Sequence, residues 1–259
     1  MTLGCCMFIL IKSLLSKKLG KGGIFLKEQS VEENLNYVVS LEIEGPMAMW
    51  TDPASGSTPT SYPAPTWSAV KAIFESILYL KSNHVIPVRV EIMKPLQYQN
   101  FVQNYGGPLR KNNQIQGGES FQIRMNALRN TCYRLYAIPV GVPENYTTER
   151  VITTNGAHQY KERFERRLLR GQCFSTPFLG LKDFPASYWG PVRHPLKRPA
   201  DININIPSML VTPFRDISGG GGYDPVFDQN VEIFHGILDY RFDGTVIREF
   251  KLREVEGEC

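Results

Sequence analysis

The chain has 259 residues, of which 42% are hydrophobic and 21% are charged, and its formal net charge is +4. This length and apolar content suffice for one large domain, or for one domain and a smaller appendage, and they exclude an intrinsically disordered chain. The mild excess of cations is compatible with a polyanionic partner, but it is too small to identify one by itself.

The cysteines and histidines bear on metal and disulfide sites, and the N-terminal segment bears on the cellular compartment. Five cysteines and four histidines show neither the spacing of a zinc site nor that of a disulfide framework, so no metal, no cofactor and a reducing cytoplasm are expected. The apolar run in residues 1–15 lacks a basic start, is interrupted by Lys12 and is too short to span a bilayer. We therefore expect a cytoplasmic protein without membrane contact, in which residues 1–36 form an N-terminal extension.

The first predicted elements are a strand, a helix and a second strand. Alternating apolar residues predict a strand over 36–44. A loop rich in turn residues follows, and its prolines force any helix to begin after them. Thr66 is a good N-cap, and apolar residues recur with helical spacing after it, which predicts a helix over 66–81. The second strand is predicted over 84–96.

A long polar excursion separates this unit from the next one. The stretch 97–120 contains Arg110 and Lys111 and is too long for an ordinary connection, so we expect a protruding hairpin within 97–126. A third strand is predicted over 127–140. A second amphipathic helix is predicted over 158–170, with Gly171 placed to cap its C-terminus.

The composition changes again in the C-terminal third of the chain. Residues 172–189 are aromatic and glycine-rich, and we expect them to hold the final strand of the domain together with a loop. Short strand-like runs follow at 231–240 and 245–253. The glycine run 219–222 lacks the Lys and Ser/Thr of a phosphate-binding loop, so it predicts a flexible turn.

Together these elements predict an α+β fold of the ferredoxin-like class, in which an antiparallel sheet carries its helices on one face. The predicted organisation is a ferredoxin-like domain over 37–190, interrupted by the hairpin insertion at 97–126 and followed by a small β-rich region over 191–259. This fold supports many unrelated functions, and RNA recognition is one of them.

Five blocks in the sequence resemble one family in the correct order: LEIEGPMAMWTDP, SYPAPTWSAVKAIFESI, VEIMKPLQ, ALRNTCYRLYA and FERRLLRGQCFSTPFLGLKDFPASY. Between residues 37 and 190 the chain resembles the fifth CRISPR-associated protein family, in its Dvulg subtype of type I-C systems, within the RAMP superfamily. The resemblance implies an antiviral subunit of the Cascade surveillance complex that holds the 5′ handle of the crRNA. It also implies contacts with the large subunit and the backbone subunits, an indirect relation to target DNA, and no small-molecule substrate.

Residue chemistry agrees with an RNA partner. Single-stranded RNA is held by cations along its phosphates and by aromatic surfaces beneath unstacked bases, and the second helix with its aromatic sequel supplies both. The candidate RNA-binding residues are Arg163, Arg166, Arg167, Arg170, Phe174, Arg110, Lys111 and Tyr62. Two structural alternatives stay open: Arg166 and Arg167 as ion-pair partners of Glu162 on a solvated face, and Phe174 and Phe178 as core residues.

The resemblance also raises a second function, that of a metal-independent endoribonuclease that processes precursor crRNA and leaves a 2′,3′-cyclic phosphate. The family's catalytic Tyr and Lys-His positions fall on Leu78, Gln159 and Tyr160, so none of them matches. A shift of one residue rotates a helical side chain by about 100°. Neighbouring residues supply the catalytic candidates His158, Tyr79 and Lys161, while a non-catalytic subunit is the favoured interpretation.

Overall fold

The computed structural model describes residues 35–105, 112–117, 121–141, 155–193, 197–214, 222–242 and 245–246. Arg110, Lys111, the N-terminal extension before residue 35 and the predicted strand beyond residue 246 lie outside them. The elements are β1 (Val39–Ala48), α1 (Trp67–Ile77), β2 (Asn83–Ile92), β3 (Tyr98–Tyr105), α2 (Asn112–Gln116), β4 (Phe121–Gly141), α3 (Gly156–Leu169), β5 (Tyr188–Gly190), β6 (Ile204–Phe214), β7 (Tyr223–Phe234), β8 (Ile237–Asp239), β9 (Arg241–Phe242) and β10 (Thr245–Val246).

One antiparallel sheet organises these elements. Its strand order is β5-β1-β4-β2-β8-β7-β6. Four neighbouring strands of this sheet, β5, β1, β4 and β2, have the order of a ferredoxin-like fold. Their connections also agree with it, because α1 lies between β1 and β2 in the chain and α3 lies between β4 and β5. The predicted α+β class is therefore confirmed.

The predicted hairpin insertion is made by β3 and the first part of β4. Their pairing runs from Tyr98 opposite Leu128 to Tyr105 opposite Phe121. On the same edge, β2 pairs with β4 from Tyr133 onward, while β1 pairs with the other edge of β4 from Leu128 to Ala137. The change of partners occurs at Asn130, whose φ of 50° is unusual for a residue other than glycine.

The helix α1 begins where the sequence predicts and ends earlier. The Thr66 hydroxyl accepts a hydrogen bond from the Ala69 amide, as the N-cap prediction requires. The helix stops at Ile77 because Leu78 is extended, with a φ of −140°. The predicted end at residue 81 is therefore wrong, since apolar periodicity continued past the last helical turn.

The hydrophobic core lies between the sheet and the two long helices. Leu41 and Ile43 of β1 point to the helices, because alternate residues of a strand share a face. Phe74 of α1 and Phe164 of α3 are fully buried, and their ring centroids lie 5.3 Å apart. Both helices therefore cover the same face of the sheet, and α3 presents its remaining sides to solvent.

The C-terminal strands differ from those predicted. Each of the strands β6 and β7 is longer than either strand predicted for this region. The run 231–240, predicted as one strand, covers the end of β7, a turn and β8. Proline obscured β6 in the sequence; Pro207 and Pro213 are tolerated there because β6 is the last strand of the sheet. Within 172–189 the predicted strand is reduced to the start of β5, and the preceding residues form a loop.

Candidate nucleic-acid interface

One side of α3 is fixed in the core. Its buried residues are Ala157, Tyr160, Phe164 and Leu168. The Asn155 side chain caps the N-terminus by accepting a hydrogen bond from the Ala157 amide at 2.9 Å. The helix ends before Gly171, which has a φ of 63°, so the predicted glycine at the C-terminus is confirmed. The position of the polar flanks of α3 is thereby determined.

The acidic residues of α3 do not neutralise its arginines. Glu162 pairs with His158 at 3.2 Å, and Glu165 pairs with Lys161 at 3.7 Å. Both pairs run back toward the N-terminus and lie on one flank of the helix. The pairing of Glu162 with Arg166 or Arg167 that the sequence left open is not among the ion pairs of the described residues.

The opposite flank carries an arginine stripe, by which we mean Arg163, Arg166 and Arg170. These residues follow one another at intervals of three and four, so they share one side of the helix. All three side chains are exposed. None of them forms an ion pair with another residue in the described part of the chain. The stripe is therefore a row of solvent-exposed, available guanidinium groups.

Arg167, which was predicted to contact RNA, has a structural role. It is partly buried, and its Nη1 donates a hydrogen bond of 2.9 Å to the carbonyl oxygen of Ile77 at the end of α1. This contact satisfies one of the carbonyl groups that a helix leaves without an intrahelical partner. The guanidinium is thus held against α1, apart from the arginine stripe.

Replacement of Arg167 by methionine is therefore expected to reduce stability by about 1–2 kcal/mol, because a hydrogen bond from a charged donor is lost and the carbonyl remains. The matched variant Arg166→Met should change stability by less than about 0.5 kcal/mol, since Arg166 is exposed. Urea unfolding followed by circular dichroism measures both. Equal effects of the two variants would contradict the structural role of Arg167.

The segment after α3 holds an exposed aromatic ring at the end of α1. The backbone amides of Phe174 and Ser175 donate hydrogen bonds of 2.8 and 2.9 Å to the carbonyl oxygen of Ser76. With its backbone held in this way, the Phe174 side chain is 74% exposed. The alternative that Phe174 is a core residue is therefore wrong, whereas Phe178 is partly buried.

The loop 175–185 that follows is packed closely on the sheet. The Leu179 carbonyl accepts a hydrogen bond of 2.9 Å from the Met49 amide. A Cβ atom at Gly180 would lie 1.8 Å from the Met49 carbonyl oxygen, and the φ of Gly180 is 91°. Only glycine fits this close approach of two backbones. The loop therefore has a defined position relative to β1.

Tyr62, another predicted RNA contact, belongs to the interior. The side chain is 4% exposed, and its hydroxyl donates a hydrogen bond of 3.2 Å to the Ser208 carbonyl oxygen. Burial raises the pKa of Tyr62 to about 12. The residue joins the loop before α1 to β6, and it is inaccessible to a strand of RNA. Sequence reasoning missed this because a tyrosine suits both core and surface.

The positions that match the family's catalytic residues are occupied by a core contact. The Tyr160 hydroxyl donates a hydrogen bond of 3.0 Å to the Leu78 carbonyl oxygen. Tyr160 is fully buried, and burial raises its pKa above the ordinary value. The fold therefore brings residues 78 and 160 together, but neither side chain offers an accessible base or cation at neutral pH.

The catalytic candidates lie on the surface around this contact. Tyr79 is 55% exposed. The His158 ring lies 5.8 Å from the ring of Tyr37 and its Nε2 is 3.2 Å from Glu162. Lys161 is partly buried and pairs with Glu165. His158 and Lys161 are thus both engaged by acidic residues of their own helix.

The face of the sheet opposite the helices is covered by the chain after β5. Two carboxylates on this face, Glu42 and Glu44, bind Arg193 of that segment: its Nε donates a 2.6 Å hydrogen bond to Glu42, and its Nη2 donates one to Glu44. The Arg193 guanidinium also lies 3.8 Å from the centroid of the Tyr188 ring. The Arg134 Nη2 atom donates a 2.7 Å hydrogen bond to the Arg193 carbonyl.

We call residues 191–193 and 197–199 of this segment the strap. Farther along the strap, Arg198 pairs with Glu91 of β2 at 3.3 Å. Burial alone would raise the pKa of Glu44, but the hydrogen bonds and charges of Lys94 and Arg193 outweigh burial and lower this pKa below its ordinary value. In RNA-recognition domains of related topology this face stacks bases. Here Arg193 and Arg198 of the strap lie on it with their acidic partners.

In the ranges that the structure describes, no group of three or more His, Cys, Asp or Glu side chains is arranged to hold a metal ion. Among the same residues, no helix has both the length and the apolar character needed to cross a bilayer.

Comparison with known sequences identifies relatives over most of the ferredoxin-like part. The model of the CRISPR-associated protein Cas5 family, in its Cas5d form, matches residues 38–201. A protein of Mannheimia succiniciproducens named CRISPR pre-crRNA endoribonuclease Cas5d is 25% identical over 170 residues, covering 58% of this chain and 71% of the relative. A protein of the same name from Thermus thermophilus is 27% identical over 154 residues, covering 59% of this chain and 63% of the relative.

Solved structures show the same fold. The crystal structure of a CRISPR-associated protein superimposes with a TM-score of 0.57 at 17% identity, covering 79% of this chain and 92% of the other. A functionally uncharacterized protein from Streptococcus mutans gives a TM-score of 0.54 at 16% identity, with the same coverage of 79% and 92%. At this identity the likeness concerns the fold alone. The family model, however, covers more than half of the sequence, and the chain therefore belongs to the CRISPR-associated Cas5 family.

Proposed function

We propose that this protein is the non-catalytic subunit of a type I CRISPR surveillance complex, or Cascade, that holds the 5′ handle of the crRNA. The observation that carries the proposal is the arginine stripe, whose charges are exposed while the acidic residues of the same helix pair elsewhere. Arginine binds phosphate oxygens through two donors at once and remains charged at any physiological pH. Membership of the Cas5 family supports guide RNA as the polyanion.

The RNA strand lies along α3 and continues over the segment after it. Phosphates contact the arginine stripe, and an unstacked base packs on the exposed ring of Phe174. The other face of the sheet is closed by the strap, which supports this placement. Contacts of this kind depend on salt, because each phosphate that is neutralised releases a bound counterion.

Other Cascade subunits contact the protein through the far end of β6 and β7. Phe214, Tyr223, Val226 and Phe227 are exposed there, and Phe214 lies directly opposite Tyr223 in the strand pairing. Large apolar side chains grouped on a surface are typical of protein interfaces. We propose that the large subunit and the backbone subunits use this surface and the hairpin, and that target DNA is met only through the crRNA and these subunits.

A second candidate function is metal-independent cleavage of precursor crRNA. It is favoured by the exposed positions of Tyr79 and His158 beside the contact between Tyr160 and Leu78, and by the names of both curated relatives. It is opposed by the absence of the family's Tyr, Lys and His at the matching positions. The binding function is therefore the preferred one.

One experiment separates the two functions. Purified protein is incubated with labelled repeat RNA in EDTA, and binding and cleavage are followed on native and denaturing gels. We expect intact RNA, and tighter binding of handle RNA than of unrelated RNA of the same length. Discrete products that disappear in Tyr79→Phe or His158→Ala would establish the enzyme instead. Equal binding of both RNAs would contradict the role in holding the handle.

A further inference from the structure

A cavity with a volume of about 240 Å³ opens at the surface of the loop after α3. Apolar walls are provided by Pro177, Phe178 and Pro185, and a polar rim is provided by Ser175, Thr176 and Lys182. The cavity is smaller than the roughly 300–1,000 Å³ of sites for drug-sized ligands. Its size and its mixture of flat apolar walls with hydroxyl and ammonium groups suit one small planar polar group.

The walls of this cavity are held in place before any ligand arrives. Phe178 and Pro185 pair as an isolated β-bridge across the loop. The Ala186 amide donates a hydrogen bond of 3.1 Å to the Pro177 carbonyl oxygen. Leu179 of the same loop is fully buried, which anchors the loop in the core. A preformed wall binds more tightly than a mobile one, because little conformational freedom is lost on binding.

The rim of the cavity carries an available positive charge. Lys182 is exposed and forms no ion pair with any residue in the described ranges. Its neighbour Asp183 accepts a hydrogen bond of 3.2 Å from the Gln103 side chain. The arginine stripe ends at Arg170, five residues before Ser175, so the two lie within about 18 Å of each other. A polyanion bound along the stripe can therefore reach the cavity.

We propose that this cavity binds a single unstacked nucleobase of the RNA strand that lies on α3, and we call it the base pocket. The base packs against Phe178 and the two prolines, the hydroxyls of Ser175 and Thr176 contact its edge, and Lys182 binds the adjoining phosphate. This inference rests on the proposed RNA-binding function. It adds a second base contact to the one on Phe174, because a further nucleotide of the strand is bound through its base in this pocket.

The test removes one base at a time from the RNA and, separately, fills the pocket. Handle RNA with a single abasic nucleotide at each successive position is titrated by fluorescence anisotropy against the wild-type protein and Ser175→Trp. Because stacking of one base contributes about five- to a hundredfold in affinity, two positions should show such a loss with the wild-type protein, one for the base on Phe174 and one for the base pocket. In Ser175→Trp, in which the indole occupies the pocket, the position of the pocket should show little further loss, while the position on Phe174 keeps its loss.

A matched control introduces the same side chain elsewhere. Asn205 is exposed on β6, and Asn205→Trp should behave as the wild-type protein does at every abasic position. Thermal unfolding of both tryptophan variants checks that the fold is kept. Lys182→Gln should lower the dependence of log affinity on log salt concentration by about 0.7, the value for one phosphate contact on a single strand.

The outcomes distinguish the pocket from the proposed function. If Arg166→Gln weakens binding but no abasic position loses its effect in Ser175→Trp, and Ser175→Trp binds as the wild-type protein does, the base pocket is overturned and RNA binding by the stripe stands. If Ser175→Trp leaves RNA affinity unchanged and prevents assembly with other Cascade subunits, the cavity is a protein contact, and the proposal is overturned. If the wild-type protein binds no RNA, both proposals fail.

Discussion

Replacement of Glu42 by alanine is expected to lower the free energy of unfolding by about 3–5 kcal/mol. The Glu42 carboxylate is fully buried and accepts hydrogen bonds from Arg134 Nε at 3.1 Å, Arg193 N at 3.2 Å and Arg193 Nε at 2.6 Å. Its loss removes the anion from the Arg134 guanidinium, whose side chain is only 10% exposed, and leaves Arg193 with Glu44 as its remaining carboxylate. Urea unfolding with linear extrapolation measures the change, and the slope of the transition reports whether the strap has detached.

Glu162→Ala provides the control for this prediction, because Glu162 is exposed and, in the described part of the chain, pairs with His158 alone. Such a surface substitution should change stability by no more than about 0.5 kcal/mol. The conservative variant Glu42→Gln keeps the shape of the side chain but removes its charge, so it should also be strongly destabilising. A loss below about 1 kcal/mol for Glu42→Ala would show that the strap contributes little to the folded state.

The triple variant Arg163→Gln/Arg166→Gln/Arg170→Gln is expected to weaken RNA binding by a factor on the order of a hundred at moderate salt. Three phosphate contacts are lost together, so the slope of log affinity against log salt concentration should also fall by about 2. Stability should change little, because all three side chains are exposed. Anisotropy titrations with labelled handle RNA at several salt concentrations give both quantities.

Single variants sharpen the comparison. Lys197→Gln removes the same charge as Arg166→Gln, but at an exposed position of the strap, on the other face of the sheet. If binding depended only on overall charge, the two variants would be equivalent. We expect Arg166→Gln to bind RNA clearly more weakly than the wild-type protein, and Lys197→Gln to bind it with the same affinity as the wild-type protein. Equal affinities for the two variants, or an unchanged salt slope for the triple variant, would show that RNA does not follow the stripe.

Local signals in the sequence were enough to predict most of the fold. Thr66 and Gly171 mark helix ends through their own chemistry, and the apolar periodicity around Phe74 and Phe164 indicates the buried faces. The exceptions arise where a distant contact decides. The end of α1 is set by the extended backbone at Leu78. The carbonyl groups just before it, those of Ser76 and Ile77, accept hydrogen bonds from residues 90 or more positions later in the chain, namely Phe174, Ser175 and Arg167.

The candidate site was less predictable for the same reason. The contact between Arg193 and Glu42 joins residues 151 positions apart, and no local pattern announces it. Arg167 is one residue from Arg166 in sequence, yet the rotation between them turns one toward α1 and leaves the other in solvent. A usable signal did exist for the strap, since Glu42 and Glu44 alternate with apolar residues and so mark the second face of β1.

The change of partners at Asn130 has a consequence for the hairpin. The side-chain oxygen of Asn130 accepts a hydrogen bond of 2.8 Å from Lys94, and the same ammonium group binds Glu44 at 2.7 Å. The single strand β4 therefore forms one side of the hairpin and also a central strand of the sheet, and the contacts of Lys94 stabilise the point between these two parts. The hairpin is thus joined to the middle of the sheet by an uninterrupted strand and by the side-chain contacts of Lys94.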